Sequence, residues 1–186
     1  MDLNSKKLYL LFIISLTQIF IYDVYASNSN VIISEIYYST PDDLSNEFVE
    51  FTVRNSSAGI STQGWYITNF NNNYSLPEIN DLNAYDYVAI QIGHGVDDLD
   101  ASDGSSTIYL DQDNEILNNA GGEIALYNSQ NELIDFVRYN GGNVNILLDW
   151  QSSDPGPSEA NIFQSVQIHG QDFDSSENWI SSLPTL

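Results

Sequence analysis

VIISEIYYSTPDDLSNEFVEFTV, residues 31–53, holds two β-rich runs on either side of a centre made of Ser, Pro, Asp and Asn. Pro and Asp favour turns, while β-branched and aromatic residues favour strands, so the stretch predicts a hairpin. In its second half the alternation is clean: Val49, Phe51 and Val53 point one way, and Phe48, Glu50, Thr52 and Arg54 the other. Three carboxylates, Glu35, Glu47 and Glu50, interrupt the pattern. Catalysis, a metal, a structural role or a solvent face would each account for them. A half-buried carboxylate needs a cation or several donors. Arg54 shares the face of Glu50, and Arg138 shares a face with Ile134 and Phe136 in a later run. Glu50, Arg54 and Arg138 are therefore expected to form structural ion pairs, and acid–base catalysis by paired carboxylates ranks last.

The same alternation recurs along the chain. Strands are expected at 31–38, 48–54, 64–69, 87–93, 106–110, 123–127, 133–139 and 166–169, separated by Asn, Asp, Gly and Ser. The sharpest hairpin is EIALY-NSQN-ELIDFVRY, residues 123–139. No stretch sustains a helical period. Many short strands with turn signals between them predict a β-sandwich or barrel.

Residues 1–26 are set apart. Lys6 and Lys7 precede an almost unbroken apolar run at 8–22, and Val24-Tyr25-Ala26 ends on a small residue. That order predicts a secretory signal peptide cleaved after Ala26, with residues 27–186 as one domain. A retained N-terminal anchor is the alternative, and only then is a membrane a partner. The chain has 186 residues and a formal charge of −22; the leader holds two basic and two acidic residues, so its removal leaves the charge unchanged. Arg54 and Arg138 are then the only basic side chains besides histidine. Such a field disfavours nucleic acid and anionic membranes, and favours cations and basic partners or simply a well-solvated surface. Cysteine is absent, so an exported domain would depend on its core, a metal or glycan rather than disulfides. Asn55-Ser56-Ser57 and Asn73-Tyr74-Ser75 fit the N-glycosylation pattern.

A resemblance runs through the chain in order. Ile33-Ser34-Glu35-Ile36-Tyr37-Tyr38, Asn46-Glu47-Phe48-Val49-Glu50 and Gly64-Trp65 come first, followed by Tyr74-Ser75-Leu76-Pro77. Then come Asn119-Ala120-Gly121-Gly122-Glu123-Ile124-Ala125-Leu126, Ile134-Asp135-Phe136-Val137-Arg138-Tyr139, Asn178-Trp179 and Pro184-Thr185. This ordered set is similar to the lamin-tail domain family, of the type found in secreted prokaryotic proteins. The resemblance implies an all-β, immunoglobulin-like antiparallel β-sandwich. It supplies no catalytic residues, and it implies a module that binds proteins or accompanies hydrolases, adhesion modules and surface anchors.

Remaining candidates are local. Asp97, Asp98, Asp100 and Asp103 crowd the loop 97–105 before Gly104 and are the calcium candidates, since calcium takes several hard oxygen ligands. An ordinary acidic loop is the competing account. His94 and His169 are the only histidines, too few for a convincing transition-metal site. Trp65 and Trp179 are expected in the core, and Trp150, in the long loop 140–164, as a possible ligand contact. Leu183-Pro184-Thr185-Leu186 reads as the domain's end rather than a sorting signal. The expected function is a non-enzymatic binding or structural domain, secreted or at the cell surface, acting through protein or glycan contacts. The alternatives are a calcium-stabilised adhesin or a self-assembling surface subunit, and last a carboxylate-dependent hydrolase.

Overall fold

In the computed structural model, which describes residues 30–38, 47–140, 164–170 and 178–185, the alternating runs become strands of two packed sheets. The leader at 1–26 and Trp150 lie outside the described residues. β1 (Val31–Tyr37) and β2 (Phe48–Val53) pair antiparallel, followed in the chain by β3 (Tyr66–Thr68), β4 (Asn73–Ser75), β5 (Tyr87–Gln91), β6 (Ser105–Tyr109), β7 (Gly122–Tyr127), β8 (Leu133–Tyr139), β9 (Ser165–Ile168) and β10 (Trp179–Ser182). One sheet has the order β10-β9-β1-β2-β5-β6 and the other β4-β3-β7-β8. The architecture is the all-β, immunoglobulin-like sandwich expected, with antiparallel pairing dominant. The β7–β8 hairpin closes as its Asn-rich link suggests: the Asn128 side chain accepts from the amides of Gln130 and Glu132.

One pair departs from the antiparallel pattern. β5 and β6 run parallel. A parallel neighbour cannot be reached by a tight turn and needs a crossover of about a dozen residues. The acidic stretch from Ile92 to Gly104 is that crossover, with a single 3-10 turn at Ala101–Asp103. Two strands, β4 and β10, were not foreshadowed by alternation, being too short to show a period.

The core lies between the sheets. Val49, Phe51 and Val53 of β2 and Val88 and Ile90 of β5 meet Ile124 and Leu126 of β7, with Trp65 and Trp179 also buried. The Phe51 and Trp65 rings sit 6.2 Å apart. β1 enters this core in two phases. Its register runs Ile33↔Phe51 and then Glu35↔Glu50, so Ser34 is an extra residue, a β-bulge. Val31 and Ile33 point inward before the bulge, Ile36 and Tyr38 after it.

The bulged strand also sets a hydrogen-bonding problem. Arg54 N–H donates to the Asn30 carbonyl, which places the β2-facing amides of β1 at even positions and turns the Ile33 N–H to the opposite edge. There β9 pairs only with Glu35 and Ile36. Asp135 of β8 fills the gap: its Oδ2 accepts the Ile33 N–H at 2.6 Å, and its Oδ1 accepts from Phe136. A buried carboxylate thus joins one sheet to the other.

The NAGGE segment, residues 118–123 with its leading Asn, has a packing cause. Gly121 has φ +111°, a left-handed value that glycine takes without strain. Gly122 stands opposite Tyr139, and a Cβ on it would lie 2.7 Å from the Tyr139 hydroxyl. Tyr139 is fully buried, its ring tilted against that of Tyr38 with centroids 4.6 Å apart, and cannot easily retreat. Gly122→Ala should therefore cost about 1–3 kcal/mol, the usual range for overpacking. Tyr139→Phe in the same chain should restore part of the loss in chemical denaturation. A Gly122→Ala protein as stable as the original would show that this close approach constrains nothing.

Candidate functional site

The segment ahead of β5 is pinned from below. Ile79 and Leu82 are buried, Ile60 and Leu82 exchange backbone hydrogen bonds at 2.9 and 3.0 Å, and the Thr62 hydroxyl accepts from Ile79 N–H and donates to the Pro77 carbonyl. With the apolar residues turned in, Glu78, Asn80 and Asp81 turn out. They face the crossover, and together the two segments enclose a cleft of about 460 Å³ lined by Glu78, Asp81, Asn83, Asp86, Leu99 and Asp100 among others. Asp86 is only 8 % exposed, and its Oδ2 accepts the Asn83 N–H at 2.7 Å. Among the described residues no Lys or Arg lines the cleft.

Tyr85 stands between Asn83 and Asp86 in the chain, 83 % exposed, with φ +77°. A bulky residue in the left-handed region is strained by about 1–3 kcal/mol. Its amide is held by the Val53 carbonyl at 2.6 Å, so the backbone is fixed while the ring projects into solvent. Sequence alone offered little route to this site, since its residues are scattered polar side chains of turns.

The calcium candidates are engaged with their own backbone. Asp97 Oδ1 accepts from Tyr109 N–H, Asp98 Oδ1 from Asp100 N–H, Asp100 Oδ1 from Ser102 N–H, and Asp103 Oδ1 from both Ser105 N–H and its hydroxyl. The Ser102 bonds hold the Asp100 carboxyl below the usual range. Among the described residues no group of three or more His, Asp or Glu is arranged to hold a metal ion. The same spacing of acids serves as a run of side-chain caps on successive turns, each made through one carboxylate oxygen.

The ion pairs are rearranged relative to expectation. Arg138 pairs with Glu123, directly opposite it across β7–β8, through Nη2 at 2.6 Å and Nε at 2.8 Å, with both side chains largely buried. Glu50 and Arg54 do share a face, but they do not pair: Glu50 accepts from the Ser34 hydroxyl, and Arg54 donates to the Gly170 carbonyl at 2.7 Å. The bulge explains this, because it brings Ser34 and Glu35 beside Glu50. Burial pushes the Glu50 carboxyl up, the Ser34 bond opposes that, and the Glu35 charge adds to it. Glu35 itself, buried, accepts from Gln167 and from the Thr185 amide and hydroxyl. The Pro184-Thr185 segment is therefore docked on the sheet. Asn55 and Asn73, the two glycosylation candidates, are both exposed.

His94 bridges two acids of the turn after β6, with Nδ1 3.2 Å from Asp111 and Nε2 2.9 Å from Asp113. His169 is exposed, and among the described residues it makes no such bridge. Hydrogen bonds to Asp113 and then Asp111 raise the His94 pKa above its ordinary value. A raised histidine pKa stabilises the fold fully below the unfolded value, and that support is lost as pH rises through the folded value. An NMR titration should place the His94 midpoint above 6.5, with Asp113→Asn lowering it more than Asp111→Asn. A midpoint unmoved by either substitution would dissolve the bridge.

Comparison with known proteins completes the picture. A family model described as the lamin tail domain matches residues 25–141. Among curated proteins none matches the chain by sequence. The match takes in β1 to β8, while β9 and β10, which follow it, complete the larger sheet beside β1. With more than half of its length matched, and with the sandwich formed, the chain belongs to the lamin tail domain family.

Proposed function

We propose that this chain is an exported, cell-surface binding domain whose contact site is the acidic cleft between residues 78–86 and 99–104, and that its partner is a basic segment of another protein. Lamin tail domains are in general binding or structural modules rather than enzymes. The observation that carries the finer reading is the cleft itself. Glu78, Asp81, Asp86 and Asp100 line it, it is large enough for a long side chain, and among the described residues no Lys or Arg lines it. Such a site suits the charge of a Lys or Arg side chain. Export is supported by the leader-like segment at 1–26. A glycan partner would use an exposed aromatic, but it gives no reason for four carboxylates.

An arginine- and lysine-rich peptide titrated into the chain at low salt should shift the amide signals of residues 78–86 and 99–104. Glu78→Gln with Asp81→Asn should weaken that binding roughly tenfold, and added salt should weaken it further, because exposed charges are screened. Asn suits the left-handed backbone at Asp81 (φ +60°), so the fold should survive. Unchanged affinity in the double variant, or shifts confined to other surfaces, would refute the assignment.

A further inference from the structure

β6 is the outer strand of the six-stranded sheet, paired only with β5. An edge strand presents a row of backbone donors and acceptors, which is a template for the strand of another chain. Alternate residues turn their N–H groups to the same side. On the outward side of β6 these are Ser105, Thr107 and Tyr109, and every one is already answered. Ser105 N–H donates to Asp103 Oδ1 at 3.1 Å, Thr107 N–H to the Asp98 carbonyl at 2.8 Å, and Tyr109 N–H to Asp97 Oδ1 at 2.8 Å. Asp98 N–H returns a bond to the Thr107 carbonyl at 2.8 Å. All three acceptors come from the acidic crossover that delivers β6.

We propose that this crossover is an edge guard: Asp97, Asp98 and Asp103 occupy the β6 edge and stop a second copy of the chain from adding a strand there. The rest of the loop supports this. Asp98 Oδ1 holds Asp100 N–H, Asp100 Oδ1 caps the 3-10 turn at Ser102, and buried Ala101 anchors the turn to the core. The strap is thus fixed at its middle as well as at the edge. The Asp97 and Asp103 carboxylates each accept an amide hydrogen bond from the strand they cover. The guard does not depend on what the neighbouring cleft binds.

The test separates hydrogen-bond occupancy from charge. Asp97→Ala with Asp103→Ala removes both acceptors, whereas Asp97→Asn with Asp103→Asn removes the charge and keeps an oxygen at each place. In the full chain, the alanine pair should speed amide exchange at Ser105 and Tyr109 by roughly tenfold, the scale of one lost hydrogen bond. Thr107, held by the Asp98 backbone, should change less. Sedimentation across a concentration series should show the alanine pair associating beyond the unaltered chain, and the asparagine pair matching the unaltered chain. An alanine pair with unchanged exchange and mass would overturn the proposal. So would an asparagine pair that associates as strongly as the alanine pair, since charge alone would then be the barrier. If the alanine pair does not fold, exchange in the unaltered chain decides: Ser105, Thr107 and Tyr109 should exchange about as slowly as Ile108, and free-edge rates at all three would contradict the guard.

Discussion

The hydrogen bond from the Ile33 amide to the Asp135 carboxylate is the constraint around which this sandwich is arranged. β1 must bury a face on both sides of a bulge, because its inward residues change from odd to even positions at Ser34. The bulge leaves the upper part of β1 beyond the reach of β9, and an orphaned buried amide costs about 1–3 kcal/mol. Asp135 answers that amide from the other sheet. The same side chain that repairs the bulge therefore also fixes how β8 lies against β1. A hydrophobic residue at 135 would pack, but it would leave the amide unanswered and the sheets without a polar register mark.

This explains why so acidic a chain can bury several of its carboxylates. Glu35, Asp135 and Glu123 each hold a segment distant in sequence or a partner strand: Thr185 and Gln167, Ile33, and Arg138. Glu47 is buried near Tyr139, whose phenol is driven far up chiefly by burial and then by that charge. In a chain without cysteine, such nonlocal polar contacts take the place that disulfides fill elsewhere in setting which strand lies beside which. Breaking a buried ion pair such as Arg138–Glu123 by removing one partner typically costs about 3–5 kcal/mol. The remaining acids have a different office: those of the crossover serve turns and an edge, while Asp86 and Asp100, which line the cleft, each also hold a backbone amide.

Much of the fold was legible because half-buried strands write themselves in alternation. Val49, Phe51 and Val53 announce the inward face of β2, and the Asn128–Asn131 link announces the β7–β8 hairpin. Alternation does not say who the neighbour is or which way it runs, so the parallel β5–β6 pair was not legible, although the length of the acidic crossover hinted at it. The three-residue β4 was too short to show a period. The bulge at Ser34 hid the true partner of Glu50, since a one-residue slip exchanges the faces beyond it. The acids at 97–103 were legible as oxygen-rich, but spacing does not record which backbone amides their carboxylates hold. The cleft was least legible, because its residues come from two separated segments joined only in the folded chain.

The proposed contact site and the proposed edge guard lie on either side of one strap, since Leu99, Asp100, Ala101 and Ser102 wall the cleft while Asp97, Asp98 and Asp103 cover the edge. Both depend on the sandwich holding its shape, and so on the tie between the sheets. The most direct measurement is amide exchange at Ile33 in the unaltered chain and in Asp135→Ala. The account predicts that Ile33 exchanges as slowly as the core amides of β2 in the unaltered chain. In the variant it should accelerate more than its neighbours Ile32 and Ile36, with a loss of global stability of at least about 1–3 kcal/mol. An Ile33 amide that exchanges quickly from the start, or that is indifferent to the loss of Asp135, would contradict it.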